Sequence, residues 1–84
     1  MDKLDFMILN ILDENKANSS ISGISRKAIL EQMEIGAQNL FLRLGKLIKA
    51  ELVANGLKEG REHTYFITKQ GIEKFREVLK WKTE

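Results

Sequence analysis

The chain has 84 residues, 43% of them apolar and 31% charged, with a formal net charge of +2, no cysteine and a single histidine. That excludes disulfides, thiolate metal sites and cysteine nucleophiles, and one histidine cannot build a common zinc site. At this length one domain is expected over residues 1–84, burying about 60–65% of the surface its unfolded chain exposes.

No apolar run approaches the roughly 18 residues of a membrane span. The opening "MDKLDFMILNILDEN" is acidic where a signal peptide is basic and lacks a small-residue cleavage site. A cytoplasmic protein with no membrane, metal or cofactor is therefore expected. The charge is uneven: residues 1–35 carry four Lys or Arg against six Asp or Glu, and residues 36–84 carry ten against six. Such asymmetry suggests one face suited to a polyanion.

Leu4, Met7, Ile8, Ile11 and Leu12 recur at helical spacing and predict a first helix over about residues 2–14. Phe6 and Leu9 project about 200° and 140° from Leu4, away from that stripe. The polar "NKANSSISG" (15–23) is a loop, and Ile24 reads as the one buried residue of a very short strand. Ser25 suits the N-cap of a second helix reaching about Met33, with Ile29, Leu30 and Met33 facing inward. Glu34-Ile35-Gly36 is a tight connection to a third helix over about residues 37–50.

Beyond Leu52 two β-leaning runs, "LVANGLK" and "EHTYFIT", flank Glu59-Gly60, the expected hairpin tip. Thr68 caps a last helix over about 69–82, with Ile72, Phe75 and Leu79 in one arc, Val78 at its margin and Trp81 about 180° from Ile72. The element order is helix, short strand, helix, helix, strand, strand, helix, an α+β arrangement.

The third helix has two chemistries. With Leu40 at 0°, Ala37, Leu44, Leu47 and Ile48 fall within about 80° of it and form the core stripe. Gln38, Leu42, Lys46 and Lys49 lie at about 160–240°, with Asn39 and Arg43 on the flank. That outward face is cationic and amide-bearing, with no acid in it. Arg and Lys donate to guanine acceptors, Asn or Gln pairs with adenine, and an exposed Leu42 suits a thymine methyl in the major groove.

The stretch "ISRKAILEQMEIGAQNLFLRLGKLIKAELV" resembles the helix-turn-helix of winged-helix regulators, and "YFITKQGIEKF" resembles the signature that ends the wing in MarR-like and PadR-like repressors. Ser25 stands at that motif's capping position, Ile29, Met33 and Ile35 at its apolar positions, and Leu40, Leu44 and Leu47 at those of its recognition helix. Glu34 stands where the turn usually has Gly, so Gly36 is the candidate for a left-handed turn residue. Glu51 replaces the Gly that usually precedes the wing strand.

The resemblance implies a winged helix-turn-helix that binds double-stranded DNA as a small transcriptional regulator. It makes Gln38, Asn39, Leu42, Arg43, Lys46 and Lys49 candidate groove contacts, Ser25 and Arg26 candidate phosphate contacts at a helix N-terminus, and Lys58 and Arg61 candidate wing contacts. Phe6, Leu9, Val78 and Trp81, apolar on the terminal helices, become candidates for a homodimer interface, the alternative being that they cover the flanks of a small core. The implied role is a homodimeric repressor whose third helices enter successive major grooves.

Two other readings compete. A winged-helix module that binds protein accounts for Leu42, with Phe41 beside it, and an architectural or replicative DNA binder suits the small size. Catalysis is not expected: His63 has no acidic or Ser partner at suggestive spacing and reads as a surface residue of the wing, and no Gly-rich phosphate loop is present.

Overall fold

The computed structural model describes residues 2–82, with side chains through Lys80. Its elements are α1 (Lys3–Glu14), β1 (Ile24–Ser25), α2 (Arg26–Leu30), α3 (Ala37–Lys49), β2 (Val53–Asn55), β3 (Thr64–Ile67) and α4 (Lys69–Lys82). The three strands form one antiparallel sheet in the order β1-β3-β2, with Ile24 opposite Tyr65 and Val53 opposite Ile67. Helix α3 precedes the β2–β3 hairpin, which is the topology of a winged helix-turn-helix.

Local chemistry sets the boundaries. Asp2 caps α1, its Oδ1 accepting from the Asp5 N–H at 2.9 Å. Ser25 caps α2 the same way, Oγ accepting from the Ala28 N–H at 3.1 Å. Helix α2 stops at Leu30, short of Met33. The Gln32 and Met33 amides donate to the carbonyls three residues back, a tightened turn that still leaves Met33 buried.

The left-handed residue is not Gly36, whose φ of −71° and ψ of 151° are those of an extended N-cap. Among the described residues positive φ occurs at Lys16, Glu51 and Gly60, none of them in the α2–α3 connection, and Glu51 has φ +64°. With the Leu52 N–H donating to the Leu47 carbonyl and the Glu51 N–H to that of Ile48, the end of α3 is a Schellman motif carrying glutamate in glycine's place.

From there the chain is clasped to α4. Thr68 Oγ1 donates to the Glu51 carbonyl at 2.6 Å and accepts from the Gly71 N–H at 2.9 Å, while the Thr68 N–H donates to the Leu52 carbonyl at 3.1 Å. A Cβ on Gly71 would overlap the Leu52 carbonyl oxygen, so only glycine lets α4 approach this closely. That is the physical content of the "ITKQG" signature.

The core joins Ile8, Leu9 and Leu12 of α1 to Ile29, to Leu40, Leu44 and Leu47 of α3, to Val53 and Ile67 of the sheet, and to Phe75 of α4. Leu9 is fully buried, against its expected place on an exposed dimer face. Helix α1 touches α2, β3 and α4 at once, so more than one stripe of its circumference is covered. Phe6, half-buried, stacks on Phe75 with ring centroids 5.0 Å apart. Leu79 is the converse correction, 43% exposed where the arc with Phe75 placed it inward. Ala37 is also exposed, at the open first turn of α3. Val78 is half-buried, and the Trp81 side chain lies outside the described residues.

Candidate nucleic-acid interface

Helix α3 buries Leu40, Leu44 and Leu47 and exposes Gln38, Asn39, Leu42, Lys46 and Lys49 along its thirteen residues, a length of about 20 Å. The two-sided pattern read from the wheel is therefore present. Leu42 is 63% exposed and Phe41 53%, so an apolar pair stands within the polar face. The two edges of the face differ sharply.

On the α1 edge the positive charge is already paired. Arg43 Nη1 donates to both carboxylate oxygens of Asp2, at 2.8 and 2.7 Å, and to Asp5 Oδ1 at 3.2 Å, while its Nε donates to Asn39 Oδ1 at 3.2 Å. Lys46 Nζ reaches Asp5 Oδ2 at 3.8 Å from a largely exposed side chain. The hydrogen bond from Arg43 holds the Asp2 carboxyl below its usual range and raises the guanidinium above its own. Asp5 is buried, so its charge rests on these partners. Arg43 is thereby a clamp between α1 and α3 in addition to a flank residue. Its position on the helix wheel is as expected, but the wheel could not show acids arriving from another helix.

On the wing edge the cations have no such partner. Arg26 lies over the Phe41 ring, 5.0 Å from its centroid, and makes no ion pair among the described residues. A cleft of about 280 Å³ opens between α2 and the hairpin, lined by Arg26, Lys27, Arg61 and His63, with Glu62, Leu30 and Tyr65 completing it. A second, mostly apolar cleft of about 340 Å³ continues it between α3 and the hairpin, past Phe41, Ile48 and Asn55, and shares His63 and Tyr65 with the first.

The Ser25 hydroxyl is committed to its cap, and α2 has five residues, so Arg26 contributes through its side chain and not through a helix N-terminus. At the hairpin tip the Glu59 and Glu62 backbones exchange hydrogen bonds at 2.9 and 3.1 Å. Gly60 and Arg61 are thus the two turn residues, with Gly60 at φ +66°, and Arg61 sits in the tip instead of beside it. Lys58 is exposed on the arm before the tip.

Sequence reading missed Lys27 and His63 at this edge and Asp2 and Asp5 at the other. A signal for His63 existed: His63 and Tyr65 are spaced by two, so an extended chain turns them to one side. Nothing comparable announced the aspartates, which lie 41 and 38 positions from Arg43. Among the described residues no group of three or more His, Cys, Asp or Glu is placed to hold a metal ion, and no helix is long and apolar enough to cross a membrane.

No model of a known protein family matches the chain. It is 23% identical over 79 residues, 94% of its own length and 98% of the relative's, to the DNA-binding protein TubR of Clostridium botulinum C phage. Its fold superposes on TubR from Bacillus megaterium pBM400 with a TM-score of 0.86 at 24% identity, covering 94% of this chain and 87% of the other. The complex structure of hsRosR-S1 matches with a TM-score of 0.78 at 20% identity, over 98% and 72% of the two chains. These likenesses establish the winged-helix fold, and the curated relative carries DNA binding in its name.

Proposed function

We propose that the chain is a small, non-enzymatic regulator that binds double-stranded DNA sequence-specifically in the cytoplasm as a single domain. Helix α3 enters the major groove while the hairpin and α2 hold the flanking backbone. The observation that carries this is the outward face of α3, exposed and free of acid between Gln38 and Lys49, opening on one side onto the unpaired cations of the wing cleft. The relation to a protein named for DNA binding points the same way.

In this reading Gln38, Leu42, Lys46 and Lys49 meet the groove. Asn39 reaches it from the Arg43 flank, and Arg26, Lys58 and Arg61 meet phosphates. Two copies would read a near-palindrome with half-sites one helical turn apart. Of the apolar positions expected between copies, Val78 stays accessible in part and Leu79 joins it, whereas Leu9 and Phe6 serve the core and its flank. Repression by occupying a promoter-proximal site, in the manner of MarR-like and PadR-like proteins, is the role proposed. The phage source of the relative also favours an accessory role in handling a mobile element's DNA.

Fluorescence anisotropy with mixed-sequence duplex across a salt series tests the proposal. Wild type should bind at low salt and weaken steeply as salt rises. Lys49→Ala should lower the slope of log K against log salt by about 1, and Lys46→Ala by less, since Asp5 already stands 3.8 Å from Lys46. Absence of binding at low salt would end this reading. The second reading, a protein-contacting face, is favoured by the exposed Phe41–Leu42 pair. It predicts that Leu42→Ala abolishes capture of a partner while any DNA affinity stays intact.

A further inference from the structure

The cleft between α2 and the hairpin has chemistry that the groove-reading face does not use. Arg26 and Lys27 enter it from α2, Arg61 from the turn and His63 from the start of the β3 arm, and one carboxylate, Glu62, stands among them. Tyr65 closes its floor from β3, and the adjoining apolar cleft brings Asn55 but no charge toward His63. At about 280 Å³ the space lies at the lower edge of the roughly 300–1,000 Å³ of small-molecule sites, and Arg26, Lys27 and Arg61 bring three cations to its lining. A compact anion suits it better than an organic ligand. It opens between α2 and the hairpin, beside the apolar cleft that separates α3 from the hairpin, so a backbone flanking a groove-bound α3 has a path to it.

We propose that this cleft seats a backbone phosphodiester of bound DNA and that His63 joins the seat in its protonated form, so that DNA binding takes up a proton. The inference rests on the DNA-binding reading above. Its physical basis is a charge balance. A phosphodiester seated among Arg26, Lys27 and Arg61, with Glu62 as the one carboxylate of the lining, favours a positive charge on the imidazole beside it. Imidazole changes charge between about pH 5 and 8, and His63 is the only histidine in a chain without cysteine. Phosphodiesters do not titrate in that range, and the α-amino group, which does, is separated from His63 by substituting the histidine. By linkage, the gain in affinity is fully present at low pH and is lost as pH rises through the range where the bound imidazole deprotonates.

The test is anisotropy with one duplex at pH 5.5, 6.5, 7.5 and 8.5, each across a salt series, with circular dichroism confirming the fold at every pH. Wild type should bind about tenfold more tightly at pH 5.5 than at 8.5, the effect of about one unit of proton linkage. Its salt slope should be larger by about 0.9 at the acid end, one further phosphate neutralised. His63→Gln should bind at every pH as wild type does at 8.5. His63→Arg should hold the acid-end affinity throughout.

A flat wild-type profile overturns the inference and leaves DNA binding standing. So does a pH dependence that survives in His63→Gln. Failure of every variant to bind at low salt overturns the DNA-binding reading itself, and with it the seat. His63 is exposed and packs in no core, so these substitutions leave the fold intact.

Discussion

The two edges of α3 carry similar charge in the sequence and opposite availability in the fold. Toward α1, Arg43 and Lys46 meet Asp2 and Asp5, so the strongest cation of the helix stabilises the protein's own architecture. Toward the wing, Arg26, Lys27, Arg61 and His63 surround an open cleft with one carboxylate among them. A cation that is already neutralised has few counterions to exchange on binding a polyanion, and gains little from it. Counting Lys and Arg on a helix face therefore overstates what that face offers to DNA, and the count must be corrected by acids from elements distant in sequence.

The largest effect should come from the open edge. Arg26→Ala/Arg61→Ala removes two cations that no acid pairs with among the described residues, and at about 50 mM salt this should weaken DNA binding by about a hundredfold, or about 2.7 kcal/mol. Its salt slope should fall by about 2, and its thermal stability should barely change, since both side chains are exposed. An unchanged salt slope would mean that the cleft does not face DNA.

At the clamped edge the order of effects reverses. Arg43→Ala leaves the buried Asp5 carboxylate with Lys46, at 3.8 Å, as its one remaining cation among the described residues. Loss of a charged hydrogen-bond partner at a buried site is expected to lower the melting temperature by roughly 5–10 °C in a domain of this size. The DNA salt slope of the folded fraction should change by less than 1. A full unit of lost slope with unaltered melting would show that Arg43 leaves its aspartates to reach a phosphate in the complex.

Much of this architecture was legible in the sequence because it is local. The caps Ser25 and Thr68 act within three residues, the Leu40-Leu44-Leu47 stripe follows helical periodicity, and the hairpin advertises itself by a glycine between two β-leaning runs. What was misread is non-local. Leu9 is buried because α2, β3 and α4 all touch α1, Leu79 is exposed although it shares an arc with buried Phe75, and Arg43 is paired because α1 begins beside α3. The glycine positions divide the same way. Gly71 could be matched to a signature, but the reason for it, the approach of α4 to the Leu52 carbonyl, belongs to the tertiary fold. Glu51 in a left-handed cap shows that a Schellman turn held by two backbone hydrogen bonds and by Thr68 tolerates a residue that local propensity disfavours.

The smallest effect expected at the clamped edge isolates Asp2 from Asp5. Asp2→Asn keeps the N-cap, since asparagine accepts from the Asp5 N–H as well as aspartate does, and removes only the charge that faces Arg43. Because that carboxylate is half-exposed, solvent screens the pair, and melting should fall by only a degree or two at pH 7. The pH dependence is the sharper observable. The Arg43 hydrogen bond holds the Asp2 carboxyl below the ordinary value of about 3.9 that it has when unfolded. Its contribution to stability is therefore fully present above that value and disappears as pH falls through the lowered one, where the folded protein also takes up the proton. Melting curves of wild type and Asp2→Asn should run parallel from pH 7 to about 5 and converge below about pH 4. A gap that persists in acid would mean that the aspartate acts through its cap geometry and not its charge, and would leave Asp5 alone to hold Arg43 at the clamped edge.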